Sequence, residues 1–190
     1  MKNETAANVS HLPDESPHFE LKHTKVSKVI DNIVSSIGKI ASWLWFITMT
    51  VILINVVLRY VFASGLVILE ELTWYLYGAC WLIGLSFAFV SDSHVRVTLF
   101  HENFSEKTKL WIDLIGSCVL LLPFLTIVLI DSMPYFTNSF IASETSVAPN
   151  GMPVRWLIKF FIPFSFFLLF LVAIARVQQC ISSLFLSKHL

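Results

Sequence analysis

A chain of 190 residues in which 56% are apolar and only 14% are charged falls well short of the ~25% charge typical of soluble domains. With a mean hydropathy of +0.73, its composition points to lipid as the solvent. A formal net charge of zero excludes the broad basic field that a nucleic-acid partner requires.

Residues 1–20 are polar, carry Pro13 and Pro17, and read as a disordered tail. No short apolar segment with a small-residue cleavage site precedes the first long apolar run, so a cleaved signal peptide is not expected. From residue 21 the pattern is amphipathic. Leu21, Val26, Val29, Ile30, Ile33 and Val34 fall roughly on one face, with Lys22, Lys25 and Lys28 elsewhere, which predicts an interfacial helix leading into the first span. The apolar pattern from Val29 to Phe62 would make ~50 Å of helix, more than the ~30 Å of a hydrocarbon core, so it must tilt, bend or begin on the surface.

The first span is predicted over 36–62, with Ile40–Leu58 free of charge. A short turn, Ala63–Glu71, broken at Ser64-Gly65, leads to a second span over 71–92. The loop Asp92–Lys109 follows, with Asn103 or Ser105 placed to cap the next helix and Glu106 in its first turn. The third span, 109–131, holds Asp113 near its start and Pro123 inside. Asp131–Pro153 reads as the longest loop, with Pro134, Pro149, Asn150-Gly151 and Pro153 as turn signals. The fourth span, 154–180, contains Pro163. Gly84 and Ala88 make a small-xxx-small step in span two. Trp43, Trp45 and Trp111 are expected near one membrane boundary, and Trp74, Tyr75, Tyr135 and Trp156 near the other. Open strands are excluded because unpaired backbone groups in lipid cost several kcal/mol each. The expected fold is an all-α integral membrane protein, a single four-helix domain over 21–190.

Lys2, Lys22, Lys25, Lys28, Lys39, Arg96, Lys107, Lys109, Arg176 and Lys188 share one side; only Arg59, Arg155 and Lys159 lie on the other. The positive-inside rule then places both termini in the cytoplasm.

No charge sits at a span centre, where it would cost at least ~3 kcal/mol. Arg59, Glu70 and Glu71 flank one short turn and are expected to face one another as an ion-pair cluster closing the hairpin. Asp113 is expected to be hydrated or paired with Arg96 or Lys109, and Lys159 to reach outward along its stem. Three cysteines form no C-x-x-C pair, and six histidines, His11, His18, His23, His94, His101 and His189, include no in-span ligand pair, so neither metal nor haem is expected. Nucleotide, hydrolase and metalloprotease motifs are absent, and no internal repeat marks a transporter core. These features describe a scaffold or accessory subunit, not an enzyme. A self-sufficient homodimeric transporter would have to rely on Asp113, and an anchor subunit of another membrane complex would need in-span ligands.

The ordered motifs Asn55-Val-Val-Leu-Arg59-Tyr60-Val-Phe62, Glu70-Glu71-Leu72, Trp81 and Gly84, His94-Val95-Arg96-Val97 and Trp111-Ile-Asp113-Leu-Ile-Gly116 carry a resemblance. So do Glu144-Thr-Ser146, Pro149-Asn150-Gly151-Met152-Pro153, Arg155-Trp156 and Ile162-Pro163. Over roughly residues 30–180 the chain resembles the small membrane subunit of TRAP transporters, the DctQ-like family. The resemblance implies a bacterial inner-membrane protein with no cofactor. It implies a tripartite system, driven by an ion gradient (sodium in the family's general scheme) and taking up organic acids. Its partners would be membrane lipid, a large multi-span subunit that carries substrate and ion, and a periplasmic binding protein. Arg59, Glu70, Glu71, His94, Arg96 and Asp113 are then candidates for structural or interface roles, and Glu144, Asn150 and Arg155 for docking the binding protein.

Overall fold

The computed structural model describes residues 25–91 and 105–186. The tail 1–20, Leu21, Asn103, His94, Arg96 and the other five histidines lie outside the described residues. What is described is helical, without strands, and contains four helices long and apolar enough to cross a membrane. Helix α1 spans Lys25–Tyr60 and α2 Val67–Val90. Helix α3, Glu106–Ile115, runs through a π-helical segment, Gly116–Leu121, into α4, Leu122–Ile141. Helix α5, Arg155–Leu186, closes the bundle.

The amphipathic start and the first span form one uninterrupted helix. Its 36 residues correspond to ~54 Å. Nothing between Lys25 and Tyr60 stops a helix: there is no proline, and Ser36 and Ser42 donate back to the Asn32 and Lys39 carbonyls at 2.8 and 2.6 Å. The anticipated apolar face divides. Val34 is buried with Ile30 beside it against α5, whereas Val26, Val29 and Ile33 face outward.

The third crossing is longer than its charge-free core. Ser105 caps α3, its Oγ accepting from Thr108 N–H at 3.4 Å. Pro123 has no N–H, and its ring crowds the carbonyl one turn back, so the backbone widens into the π segment immediately before it. Residues 131–141, expected as loop, continue as helix with Pro134 inside α4. Tyr135, Phe136, Phe140 and Ile141 extend the apolar pattern past that proline, and a membrane helix tolerates the single lost hydrogen bond.

Helix α5 is the most buried crossing and the one packed on all the others described. Against α1 it sets Leu168 and Val172 on Val34. Against α4 it sets Leu169 and Ala173 on Leu125, and against α3 it sets Cys180 on Leu110. Fully buried Ala173 and Ala175 let neighbouring backbones approach closely. Between α1 and α2 the close contact is at Gly38, where a Cβ would stand 2.3–2.7 Å from the Phe87 side chain. Gly84 plays no such part, since a Cβ there would meet nothing within 4 Å. Trp45 stacks edge-on to Tyr77 at 5.8 Å, near the middle of α2, so it belongs to the bundle's middle and not to a boundary belt.

Candidate functional site

At one end of the bundle, α1 turns into α2 and α4 turns into α5. The second connection, residues 142–154, is the most highly organised loop among the described residues. It begins at the end of α4, where Ser143 takes a left-handed φ of 47°. Ser143 N–H donates to the Phe140 carbonyl and Glu144 N–H to the Ser139 carbonyl, both at 3.0 Å. This is the paired closure of a Schellman motif. It folds Glu144 back over the helix end, where Ser139 Oγ donates to Glu144 Oε2 at 2.5 Å.

The same carboxylate is gripped from α5. Lys159 Nζ donates to Glu144 Oε2, and Arg155 Nε stands 3.6 Å from Oε1. The Arg155 N–H also donates to the Glu144 carbonyl at 3.1 Å. Lys159 does not reach outward as expected: its side chain is 11% exposed, and Nζ lies 4.2 Å from the centroid of the Tyr135 ring. A lysine this deep is tolerable because a carboxylate and an aromatic face replace its water. The Lys159 ammonium, followed by the Ser139 hydroxyl, holds the Glu144 carboxyl below its ordinary value of 4.5.

A second carboxylate pins the rest of the loop. Glu71, on the first turns of α2, accepts from Ser146 Oγ and, at 2.6 Å, from Met152 N–H. Ser146 Oγ in turn accepts from Ala148 N–H at 3.2 Å. Ser146 N–H donates to the Met152 carbonyl and Gly151 N–H to the Ala148 carbonyl, each at 3.0 Å. The turn passes through Asn150 in a left-handed conformation, φ 58°, which asparagine tolerates better than most residues. Gly151 follows because nothing larger fits. A Cβ there would lie 2.6 Å from Ser146 Cβ and Oγ and 2.9 Å from Glu71 Oε2.

The expected three-charge cluster therefore divides. Glu70 and Glu71 are consecutive on a helix, so their side chains diverge by ~100°. Glu70 meets Arg59 at 3.2 Å in a pair whose side chains are 53% and 60% exposed, while Glu71 turns to the 142–154 loop. Asp113 is half-buried on α3; of its two anticipated partners, Arg96 lies outside the described residues and Lys109 stands one turn back on the same helix. Asn150 is exposed at the turn. Glu144 and Arg155, expected as docking contacts, are bonded to one another and to the loop's own frame.

A polar contact at the opposite end had no counterpart in the sequence reading. Gln179 Nε2 on α5 donates to Asp31 Oδ2 on α1 at 3.1 Å. With Phe89, Val90, Val172 and Arg176 they line a cavity of about 30 Å³, room for a water and far too small for an organic acid. No local signal marked the pair, because the neighbours one turn away are mostly polar: Ser27, Lys28 and Ser35 around Asp31, and Arg176, Ser182 and Ser183 around Gln179. Among the described residues no three histidine, cysteine, aspartate or glutamate side chains group as a metal site.

Comparison with known proteins gives one match and two blanks. A search among curated proteins and a search among solved structures each returned no match. The family model described as tripartite ATP-independent periplasmic transporters, DctQ component, matches residues 48–182. That stretch covers well over half of the chain, from the middle of α1 to near the end of α5, and includes the whole pinned loop. The chain is thus a multi-pass membrane protein of the DctQ family, the family of the small membrane component of tripartite ATP-independent periplasmic transporters.

Proposed function

We propose that this chain is the accessory scaffold subunit of a sodium-coupled, binding-protein-dependent transporter for organic acids in a bacterial inner membrane. It packs against the large transport subunit, and the end bearing the 142–154 loop faces the periplasm, where it helps dock the binding protein. The observation that carries the reading is the family match across all four crossings. The architecture supports it. The cavity at Asp31 and Gln179 is far too small for an organic acid, in keeping with substrate and ion carried by a partner. Outward-facing apolar side chains cover α1 (Trp43, Phe46, Met49) and the third crossing (Val119, Leu120, Ile127), as lipid or a membrane partner requires. The positive-inside distribution of lysine and arginine supports the orientation.

The test is affinity capture of the tagged chain from its native membranes. A multi-span protein is expected to copurify in stoichiometric amount, and liposomes holding both chains are expected to take up organic acid only when the binding protein and a sodium gradient are supplied. Uptake by this chain alone, or capture without a multi-span partner, would overturn the proposal.

A further inference from the structure

Within the loop, exposure alternates. Ser146 and Ala148 turn in toward the pinned frame, whereas Thr145, Val147 and Pro149 turn out, with Asn150 exposed beside them. Val147 is 89% exposed, the most exposed large apolar side chain among the described residues. The charges of the loop are meanwhile consumed from within. Glu144 is neutralised by Lys159 and Arg155, and both oxygens of Glu71 accept from Ser146 and Met152. The loop thus presents a stiff ridge with an apolar crest and no free carboxylate. Stiffness matters because a pre-ordered loop has little conformational entropy left to lose on binding.

We infer that the contact surface for the soluble binding protein is this uncharged ridge, Thr145, Val147, Pro149 and Asn150. Glu71 and Glu144 position the ridge and do not touch the partner. The inference rests on the docking role proposed above. It reverses the simplest expectation from sequence, in which Glu144 would contact the binding protein by charge. The partner's complementary patch is accordingly apolar and uncharged, and its recognition is insensitive to salt, because screening weakens charge pairs and leaves apolar burial largely intact.

The experiment uses the assembled membrane complex in lipid nanodiscs and the soluble binding protein of the same transport system, with affinity measured by titration. Wild-type affinity is expected to change by less than about threefold between about 0.05 and about 0.5 M salt. Val147→Asp is expected to weaken binding about tenfold or more, since a charge would enter an apolar contact, while the large subunit still copurifies normally. Val147→Ile is expected to retain wild-type affinity, which separates loss of the contact from loss of the loop. Unchanged binding by Val147→Asp would overturn the inference. So would a steep salt dependence in wild type that disappears in Glu144→Gln. Failure of the wild-type complex to bind at all would instead overturn the docking role itself.

Discussion

Two neighbouring carboxylates, Glu70 and Glu71, have very different surroundings. The Arg59–Glu70 pair stands at the surface, where such pairs contribute ~0–1 kcal/mol. Arg59→Ala is therefore expected to shift the melting temperature of the purified protein by no more than a degree or two and to leave assembly yield near wild type. Glu71 joins α2 to a loop 75 positions further along, and its place at Gly151 leaves no room for a side chain. Gly151→Ala is expected to destabilise by ~1–3 kcal/mol through overpacking. A thermal melt identical to wild type would show that the loop yields without cost. Glu144 supplies a pH dependence of definite sign. Its carboxyl titrates below 4.5 in the folded chain because Lys159 and Ser139 favour the ionised form. The stabilisation is thus complete above the unfolded value and is lost as pH falls from there through the folded value. The melting-temperature gap between wild type and Glu144→Gln is expected to be constant near neutrality and to close only below about pH 4.5; a gap that widens toward acid would contradict it. Sequence displayed these carboxylates without their partners. Adjacent acids beside one arginine suggested a single cluster, and only the angular step between consecutive helical residues, together with the Schellman closure at Ser143, separates them.

At the scale of the element, apolar runs located all four crossings, because length and freedom from charge are what lipid demands. The ends were less legible. The first crossing begins earlier than its charge-free core because lysines can line a helix that emerges from lipid. The third ends ten residues later than expected because Pro134, a turn signal in water, is tolerated inside a membrane helix. Helix contacts were hidden for another reason: a small residue is informative only with its opposite partner known. Gly84 looked like a packing site and faces open space, whereas Gly38 carries the Phe87 ring. Gly38→Ala is expected to cost ~1–3 kcal/mol, and much of that cost should vanish in a Phe87→Ala background, since the clash requires both side chains. Additive losses in a double-mutant cycle of thermal melts would show that the contact is not as tight as the structure has it.

For the whole molecule, α5 is the spine. It is the helix through which α1, α3 and α4 share a core, and Ala173, fully buried, clusters with Leu125 of α4 and with Leu169 one turn back on its own helix. Ala173→Phe is expected to reduce the yield of monodisperse protein severalfold, while the same change at outward-facing Val119 leaves it near wild type, as size-exclusion chromatography would show. Overall class, number of crossings and family were visible in the sequence because they depend on composition and order. Which helix is central was not, because centrality depends on contacts that all four hydropathy profiles leave open.

The π segment at Gly116–Leu121 gives the third crossing a tolerance its neighbours lack. A straight α-helix fixes the angular phase of every residue to that of every other, so removing one residue turns everything beyond it by ~100°. The wide segment already holds a surplus residue between two anchored halves, Leu110 on Cys180 below it and Leu125 on Leu169 above. Losing a single residue there would tighten the backbone to ordinary α geometry and leave both anchors in phase. The same loss a few positions to either side would swing one half of the helix away from α5. Tolerance of a one-residue loss in this crossing is therefore expected at these six positions, where the backbone works as a splice between two independently seated helices.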